Sequence, residues 1–256
     1  MILLIPSIDL SGGHCVRCIM GEPGTENMYS LISDHPFELA RLWRRENAKT
    51  LHITDLDSMV GRDNSANYTT ILEIVKSVDI PIQLLSNFHT IEECRFWLEH
   101  GIYRVIVNEL IYTNPQGIRE LVEEFTPSKV VVGIRAENGH VIFPTIDKQV
   151  NDTEYALFAK ELGIKRLVYT DISWEGSLAG PDFEILRRIA RESGLRVTEA
   201  GGIASPQQLW NVQELQRDGV DSAIVGRALY ENRFPCQKIW RQVEAELEPD
   251  IVEREV

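Results

Sequence analysis

The feature that most constrains the fold is a regular alternation of short apolar, β-branched runs with stretches of helical spacing. The alternation continues almost to the end of the chain without a linker or a low-complexity segment. Strands that alternate with helices form parallel sheets, because a parallel connection needs a crossover helix. We predict eight strands, at residues 3–9, 50–55, 81–85, 104–107, 129–134, 166–170, 196–199 and 221–225.

The stretches between these strands carry the start signals of helices. Asn114 and Ser205 each precede a proline, which is typical of an N-cap followed by the first helical position, and Thr90 precedes two glutamates. Dividing 256 residues by eight gives 32 residues for each strand–helix unit. Eight such units close without leaving a sheet edge, so we predict one α/β domain, a (β/α)8 TIM barrel spanning residues 1–256. An open doubly wound sheet is the alternative.

An internal repeat favours the barrel. The run Leu51 to Leu56 recurs as Leu167 to Ile172, an offset of 116 residues, and Ile106 to Leu110 matches Ile224 to Ala228 at an offset of 118. Two matches in nearly the same register predict a duplication of four strand–helix units. The half-barrels would cover about residues 1–125 and 126–240, followed by a tail at 241–256.

Composition excludes several classes of function. The net charge of -13 opposes binding to nucleic acids and to anionic membranes. No apolar run approaches the ~20 residues of a membrane span, and the start of the chain lacks the features of a signal peptide, so we expect a cytoplasmic protein. Four cysteines are too few for a disulfide framework, and the Cys15–Cys18 pair has no second ligand pair for a metal. We expect no metal and no cofactor.

In a barrel of this kind the active site forms where the strands end, so the residues at those ends are the candidates. Glycines follow the seventh and eighth strands, where a backbone can approach a ligand closely. A helix N-terminus after each strand would present N–H groups to an anion. This pattern predicts a phosphate site at Gly201, Gly202, Gly226 and Arg227.

Carboxylates stand at the same rim. Asp9 ends the first strand, and Asp171 and Glu175 follow the sixth. Two carboxyl groups divide base and acid roles when their surroundings push their pKa values apart. Asp55 and Asp171 occupy matching positions of the repeat, so we expect those two to hold loops rather than to act on a substrate.

The motifs at these strand ends resemble the phosphoribosyl isomerases of histidine biosynthesis, the HisA family, whose sister family is the HisF cyclases. The resemblance spans nearly the whole chain. It is carried by Ile-Pro-Ser-Ile-Asp-Leu at residues 5–10, His-Ile-Thr-Asp-Leu-Asp at 52–57, Thr-Asp-Ile-Ser-Trp-Glu-Gly-Ser-Leu-Ala-Gly at 170–180, Ala-Gly-Gly-Ile at 200–203 and Ile-Val-Gly-Arg-Ala-Leu at 224–229.

The resemblance implies an Amadori rearrangement of an aminoaldose to an aminoketose, without a cofactor, on a small phosphorylated metabolite that carries a phosphate at each end. Carried over to this chain, Asp9 is the general base and Glu175 the general acid. The residues that bind the substrate and one phosphate would be Arg17, Ser177, Gly201, Gly202, Gly226 and Arg227. The oligomeric state stays open.

The chain departs from the family pattern on the other side of the mouth. The family has three glycines after the third strand and Gly-Ser or Gly-Thr after the fourth, which hold a second phosphate. This chain has Leu85-Ser86-Asn87 and Asn108-Glu109 there. We predict that the second phosphate site is lost, because side chains fill the space and Glu109 repels a dianion.

Arg135 replaces a family aspartate after the fifth strand, and Glu175 stands where the family has aspartate. We expect the Arg135 guanidinium to bind a ligand anion or to neutralise Asp9 or Glu109. Three functions follow from these departures. The first is a divergent isomerase of a singly phosphorylated sugar or sugar amine; the second is the histidine-pathway isomerase itself; the third is a non-catalytic phosphate-ligand sensor or scaffold in which Arg135 locks Asp9.

Overall fold

The computed structural model describes residues 2–16, 35–143, 145–231 and 233–234. Eight parallel strands form the sheet, and the last pairs with the first, so the sheet closes into a barrel. The predicted TIM barrel is therefore confirmed, and the open sheet is excluded. In barrel order the strands are β1 (Leu3–Ser11), β3 (Leu51–Asp55), β4 (Ile82–Leu85), β5 (Arg104–Val107), β6 (Val130–Glu137), β8 (Arg166–Asp171), β9 (Arg196–Ala200) and β10 (Val220–Val225).

Two short strands extend this barrel at its carboxyl rim. β2 (His14–Cys15) pairs antiparallel with the end of β1, and β7 (His140–Val141) does the same with the end of β6. β1 and β6 consequently run beyond the predicted ends at residues 9 and 134. These hairpins follow the first strand of each predicted half, although the boundaries of the half-barrels stay a prediction.

Helices cover the outside of the barrel, and the expected caps start three of them. The Asn114 side chain accepts from Gly117 N, Ser205 accepts from Gln208 N, and Thr90 forms a capping box with Glu93. The helices are α1 (Pro36–Arg45), α2 (Leu56–Met59), α3 (Ser65–Ser77), α4 (Ile91–Glu99), α5 (Leu110–Thr113), α6 (Pro115–Phe125), α7 (Asp152–Glu161), α8 (Phe183–Ser193), α9 (Pro206–Glu214) and α10 (Arg227–Tyr230), with a 3-10 turn at Leu215–Arg217.

The core has two layers. The larger layer lies between the strands and the helices and includes Trp43 and Trp97. A smaller cluster fills the inside of the barrel, from Ile5, Ile106, Val131, Val168 and Ile224. The barrel interior is thus packed below its mouth, which leaves the carboxyl ends of the strands as the place for a ligand.

Candidate active site

A cavity of about 610 Å³ opens at the carboxyl ends of the barrel strands. This volume is in the range that small-molecule sites occupy. Polar groups line one part of the cavity and apolar side chains another. Its lining includes Ser7, Asp9, His52, Thr54, Asn108, Arg135, Thr170, Glu175, Gly201, Gly202, Gly226 and Arg227, together with Leu56, Met59, Val60, Leu85, Ile134 and Ile142.

Asp9 lies on β1 and faces this cavity. Its Oδ1 accepts a hydrogen bond of 2.8 Å from Ser7 Oγ, and Thr54 lies opposite Asp9 on the neighbouring strand β3. Burial raises the pKa of Asp9, the hydroxyl groups of Ser7 and Thr54 lower it, and the nearby Glu175 charge raises it. The Asp9 carboxyl group therefore lies at the cavity, and its pKa is set by burial against these two hydroxyl groups.

Glu175 pairs with Arg135 across the mouth. Arg135 Nε and Nη2 each lie 2.8 Å from Glu175 Oε2. The expectation that Arg135 neutralises Asp9 or Glu109 is wrong, since its guanidinium faces Glu175, which sits on the loop after β8. The two side chains are 41% and 39% exposed, so the pair remains accessible to a ligand that enters the mouth.

The predicted phosphate side is formed by the backbone after β9 and β10. Gly201 and Gly202 have φ values of +101° and +76°, which favour glycine. A Cβ on Gly202 would approach Gly180 C at 3.0 Å and Trp174 O at 3.1 Å, so glycine here also lets the loop after β8 pack closely. Gly226 precedes α10 and gives its N-terminus no side-chain cap. Phosphate binding at this backbone stays a prediction.

Two residues of the predicted phosphate side have other contacts. Arg227 Nη1 donates to Gly176 O at 3.0 Å, and its Nε donates to Glu231 Oε1 at 2.7 Å. The exposed Ser177 uses its hydroxyl within its own loop, where it donates to Trp174 O and accepts from Ala179 N. Both side chains thus stabilise the loops around the predicted phosphate side. Arg17, the remaining predicted contact, lies outside the described residues.

On the opposite side, side chains fill the space after β4. Ser86 and Asn87 are both buried. Ser86 Oγ donates to Ser58 Oγ at 2.9 Å, and Asn87 N donates to the same oxygen at 2.9 Å. The backbone of this turn is therefore bonded to α2 rather than turned toward a ligand.

Glu109 occupies the corresponding position after the neighbouring strand β5. Its side chain is buried, and its oxygens accept from Thr145 N and Thr145 Oγ1 at 2.5 Å each and from Ile146 N at 3.2 Å. We expected Glu109 to stand in the mouth as a repelling charge, but it is bound to the segment after β7. Beside it, Asn108 lines the cavity, and within the described chain its buried Oδ1 has no hydrogen-bond partner.

Asp55 and Asp171 hold loops, as their matching repeat positions suggested. Asp55 caps α2 through Ser58 N and accepts from Asn64 and Asn67. Asp171 accepts from the backbone N–H and the hydroxyl of Ser173.

Sequence reasoning missed the polar residues that surround Asp9. Ser7, Thr54, His52 and Gln83 lie on three adjacent strands. The signal was the alternation along β1 and β3, where residues two apart face the same side. Burial lowers the pKa of His52 to about 3, so this histidine is neutral.

Cys15 packs inside the protein. It is buried, its Sγ lies 3.6 Å from Tyr230 Oη, and burial raises its pKa to about 11. Cys18 lies outside the described residues. In the part of the chain that the structure describes, there is no cluster of three metal-binding side chains and no helix long and apolar enough to cross a membrane.

A family model and individual relatives identify the same family for this chain. The model of the family described as histidine biosynthesis protein matches residues 3–235. A protein of Prosthecochloris aestuarii is 43% identical over 94% of this chain and 92% of its own length. A protein of Pelodictyon phaeoclathratiforme is 40% identical over 97% and 96%. Both are named 1-(5-phosphoribosyl)-5-((5-phosphoribosylamino)methylideneamino)imidazole-4-carboxamide isomerase.

Proposed function

Because this chain belongs to the histidine biosynthesis protein family, we propose that it is an aldose–ketose isomerase whose substrate is a sugar amine held by one phosphate group. The observation that carries the proposal is the asymmetry of the mouth. Gly201, Gly202 and Gly226 offer bare backbone to the cavity on one side. On the other side Glu109 already occupies the N–H and hydroxyl donors of Thr145 and Ile146.

The far end of such a substrate meets a mostly apolar wall. Leu56, Met59, Val60, Leu85 and Ile142 line that part of the cavity. Moving a phosphate dianion against apolar side chains costs free energy unless hydrogen bonds replace its lost water. An uncharged group at the end remote from the phosphate fits this wall better than a second phosphate does.

Asp9 and Glu175 supply the proton transfers. Glu175 gives a proton to the ring oxygen as the C1–O bond breaks and its electron pair moves to that oxygen, while the amine nitrogen forms a double bond to C1. Asp9 then removes the proton from C2, and the electrons form a C1–C2 double bond as the nitrogen regains its pair. Loss of the proton from the C2 hydroxyl and addition of one at C1 complete an isomerisation without net gain or loss of atoms.

The Arg135–Glu175 pair sets a condition on this mechanism. Arginine stays protonated, so Glu175 is the member of the pair that can exchange a proton. A ligand that enters between them separates the two groups and brings Glu175 to the ring oxygen of the substrate. Arg135 is then free to stabilise the oxygen that develops negative charge during the rearrangement.

The second candidate function is the reaction named for the relatives. Its support is identity of about 40% over nearly the full length of both chains, together with carboxyl groups at residues 9 and 175 of this chain. That substrate name contains two phosphoribosyl groups, and both would have to bind at the same mouth. The third hypothesis, a sensor in which Arg135 locks Asp9, loses its basis because Arg135 pairs with Glu175.

The test measures turnover of two substrates by the purified chain. One is an N-substituted phosphopentosylamine with a single phosphate, and the other is the relatives' substrate. We expect kcat/KM to be higher for the first, and Asp9→Asn to lower it by about 10²–10⁴-fold, the usual contribution of a general base. Asp63→Asn, which changes an exposed aspartate away from the cavity, is the matched control. Higher kcat/KM for the relatives' substrate, with rescue of a histidine auxotroph, would establish the second candidate instead.

A further inference from the structure

We propose that Thr54 is a positioning residue for Asp9, and that His52 and Gln83 act through Thr54 by fixing the direction of its hydroxyl. The inference rests on the proposed role of Asp9 as the base. It adds residues that neither touch the substrate's phosphate nor transfer protons themselves.

Strand register brings these side chains together. β1 and β3 place Asp9 opposite Thr54 and Ser7 opposite His52, and β3 and β4 place His52 opposite Gln83. Side chains directly opposite each other on neighbouring strands are close enough to interact. Ser7, Asp9, His52 and Thr54 all line the cavity, so this group faces the inside of the barrel mouth.

The contacts form a series of hydrogen bonds in which each donor points toward Asp9. Gln83 Nε2 can only donate, and it lies 3.1 Å from His52 Nδ1, so Nδ1 is the acceptor. A neutral histidine then carries its proton on Nε2, which lies 3.2 Å from Thr54 Oγ1. Since Thr54 Oγ1 accepts from His52, its own proton is available to the Asp9 carboxylate, which lies opposite Thr54 on β1.

These hydrogen bonds oppose the effect of burial on the pKa of Asp9, the proposed base. Burial raises the pKa of Asp9, and the hydroxyls of Ser7 and Thr54 oppose that rise. Among the described residues, the other ionisable groups that act on Asp9 or feel its charge are Glu175, Cys15 and Tyr230. Without a fixed donor a buried carboxylate binds a proton more readily and is no longer a base at neutral pH.

The experiment compares Thr54→Val, Thr54→Ser and Thr170→Val. Thr54 and Thr170 occupy matching repeat positions and both line the cavity, but within the described chain the buried Thr170 hydroxyl has no hydrogen-bond partner. Thr170→Val therefore makes the same chemical change without removing a hydrogen bond from Asp9. The measurements are the pKa of Asp9 by carbon NMR of the ligand-free protein and kcat/KM as a function of pH.

We expect Thr54→Val to raise the pKa of Asp9 and to lower kcat/KM about tenfold on the acidic side of the profile, the size expected for one hydrogen bond to a charged group. Thr54→Ser should restore both, and Thr170→Val should leave the pKa of Asp9 unchanged. Nitrogen NMR should place the His52 proton on Nε2.

An unchanged pKa of Asp9 in Thr54→Val, or a proton on His52 Nδ1, would overturn the inference. Both readouts use the ligand-free protein, so they decide it even when no substrate is turned over. Absence of turnover by the unsubstituted chain would count against the proposed function alone.

Discussion

Glu199 is a residue whose burial has a measurable consequence for stability. It follows Thr198 on β9, and because Thr198 bonds inside the barrel to Arg166 and Ser222, Glu199 faces the helix layer. Its side chain is fully buried, and neither carboxyl oxygen has a hydrogen-bond partner among the described residues. Burial raises the pKa of Glu199 well above its usual value, so the folded protein holds a proton that the unfolded chain releases.

A group whose pKa is higher in the folded state makes stability fall as pH rises above its unfolded value. We therefore expect Glu199→Gln to be more stable than the unsubstituted chain at pH 8, by about 1–3 kcal/mol, and to lose this advantage near pH 4. Urea unfolding at both pH values measures the difference. Glu120→Gln, on the exposed face of α6, is the control, and a constant gap at both pH values would contradict the assignment.

For single residues, the sequence predicted which side chains lie at the cavity better than it predicted which of them contact each other. Asp9, Glu175 and Arg135 all line the cavity, as their places at strand ends predicted. That Arg135 pairs with Glu175 was not predictable, because it depends on where the loop after β8 places residue 175. The hydroxyl of Thr54 reaches Asp9 only through the register of β1 and β3, which a single sequence does not specify.

Among the elements, the segment after β7 depends most on one side chain. Glu109 accepts three hydrogen bonds from Thr145 and Ile146, and Phe143 packs edge-on against Tyr112 of α5 at a centroid distance of 5.8 Å. Hydrogen bonds to a charged acceptor are stronger than those between neutral groups. The carboxylate therefore holds this segment at the rim of the cavity.

Glu109→Gln tests that role. The amide keeps the shape of the side chain, and its oxygen can still accept from Thr145 N and Ile146 N, but it is a neutral acceptor, so these hydrogen bonds are weaker than those to the carboxylate. We expect the amides of Thr145 and Ile146 to exchange hydrogen about tenfold faster, while the amides of β5 keep their rates. Glu137→Gln, an exposed residue at the end of β6, serves as the control. Equal exchange at Thr145 and Ile146 in both proteins would show that Phe143 packing alone holds the segment.

The elements themselves were largely predictable. All eight barrel strands lie where the apolar runs placed them, because β-branched runs bounded by turn residues leave few alternatives. The extensions of β1 and β6 were missed, since polar residues such as Asp9, Ser11 and Glu137 end the apolar pattern before the pairing ends. Backbone hydrogen bonds to β2 and β7 stabilise these extended ends of β1 and β6 in place of apolar packing.

For the molecule as a whole, the barrel presents two unlike walls to one ligand. Strands β9 and β10 contribute glycine backbone to the mouth, whereas the ends of β4 and β5 contribute Leu85 and Asn108. The residues that follow, Ser86, Asn87 and Glu109, are buried and bonded to α2 and to the segment after β7. The closed sheet fixes the distance between these walls, since β10 pairs with β1 and β1 with β3. On the proposed function, we expect a ligand with two phosphates to gain binding free energy from only one of them.

This asymmetry predicts how ligands stabilise the fold. A ligand that binds only the folded state at 100 times its Kd adds about 2.7 kcal/mol to the free energy of unfolding. We expect a pentose monophosphate and a pentose bisphosphate, at equal concentration, to raise Tm by the same amount. Glu109→Gly, which removes the buried carboxylate, should increase the shift for the bisphosphate only. A larger shift with the bisphosphate in the unsubstituted chain would mean that both walls bind phosphate, and the substrate would then carry two.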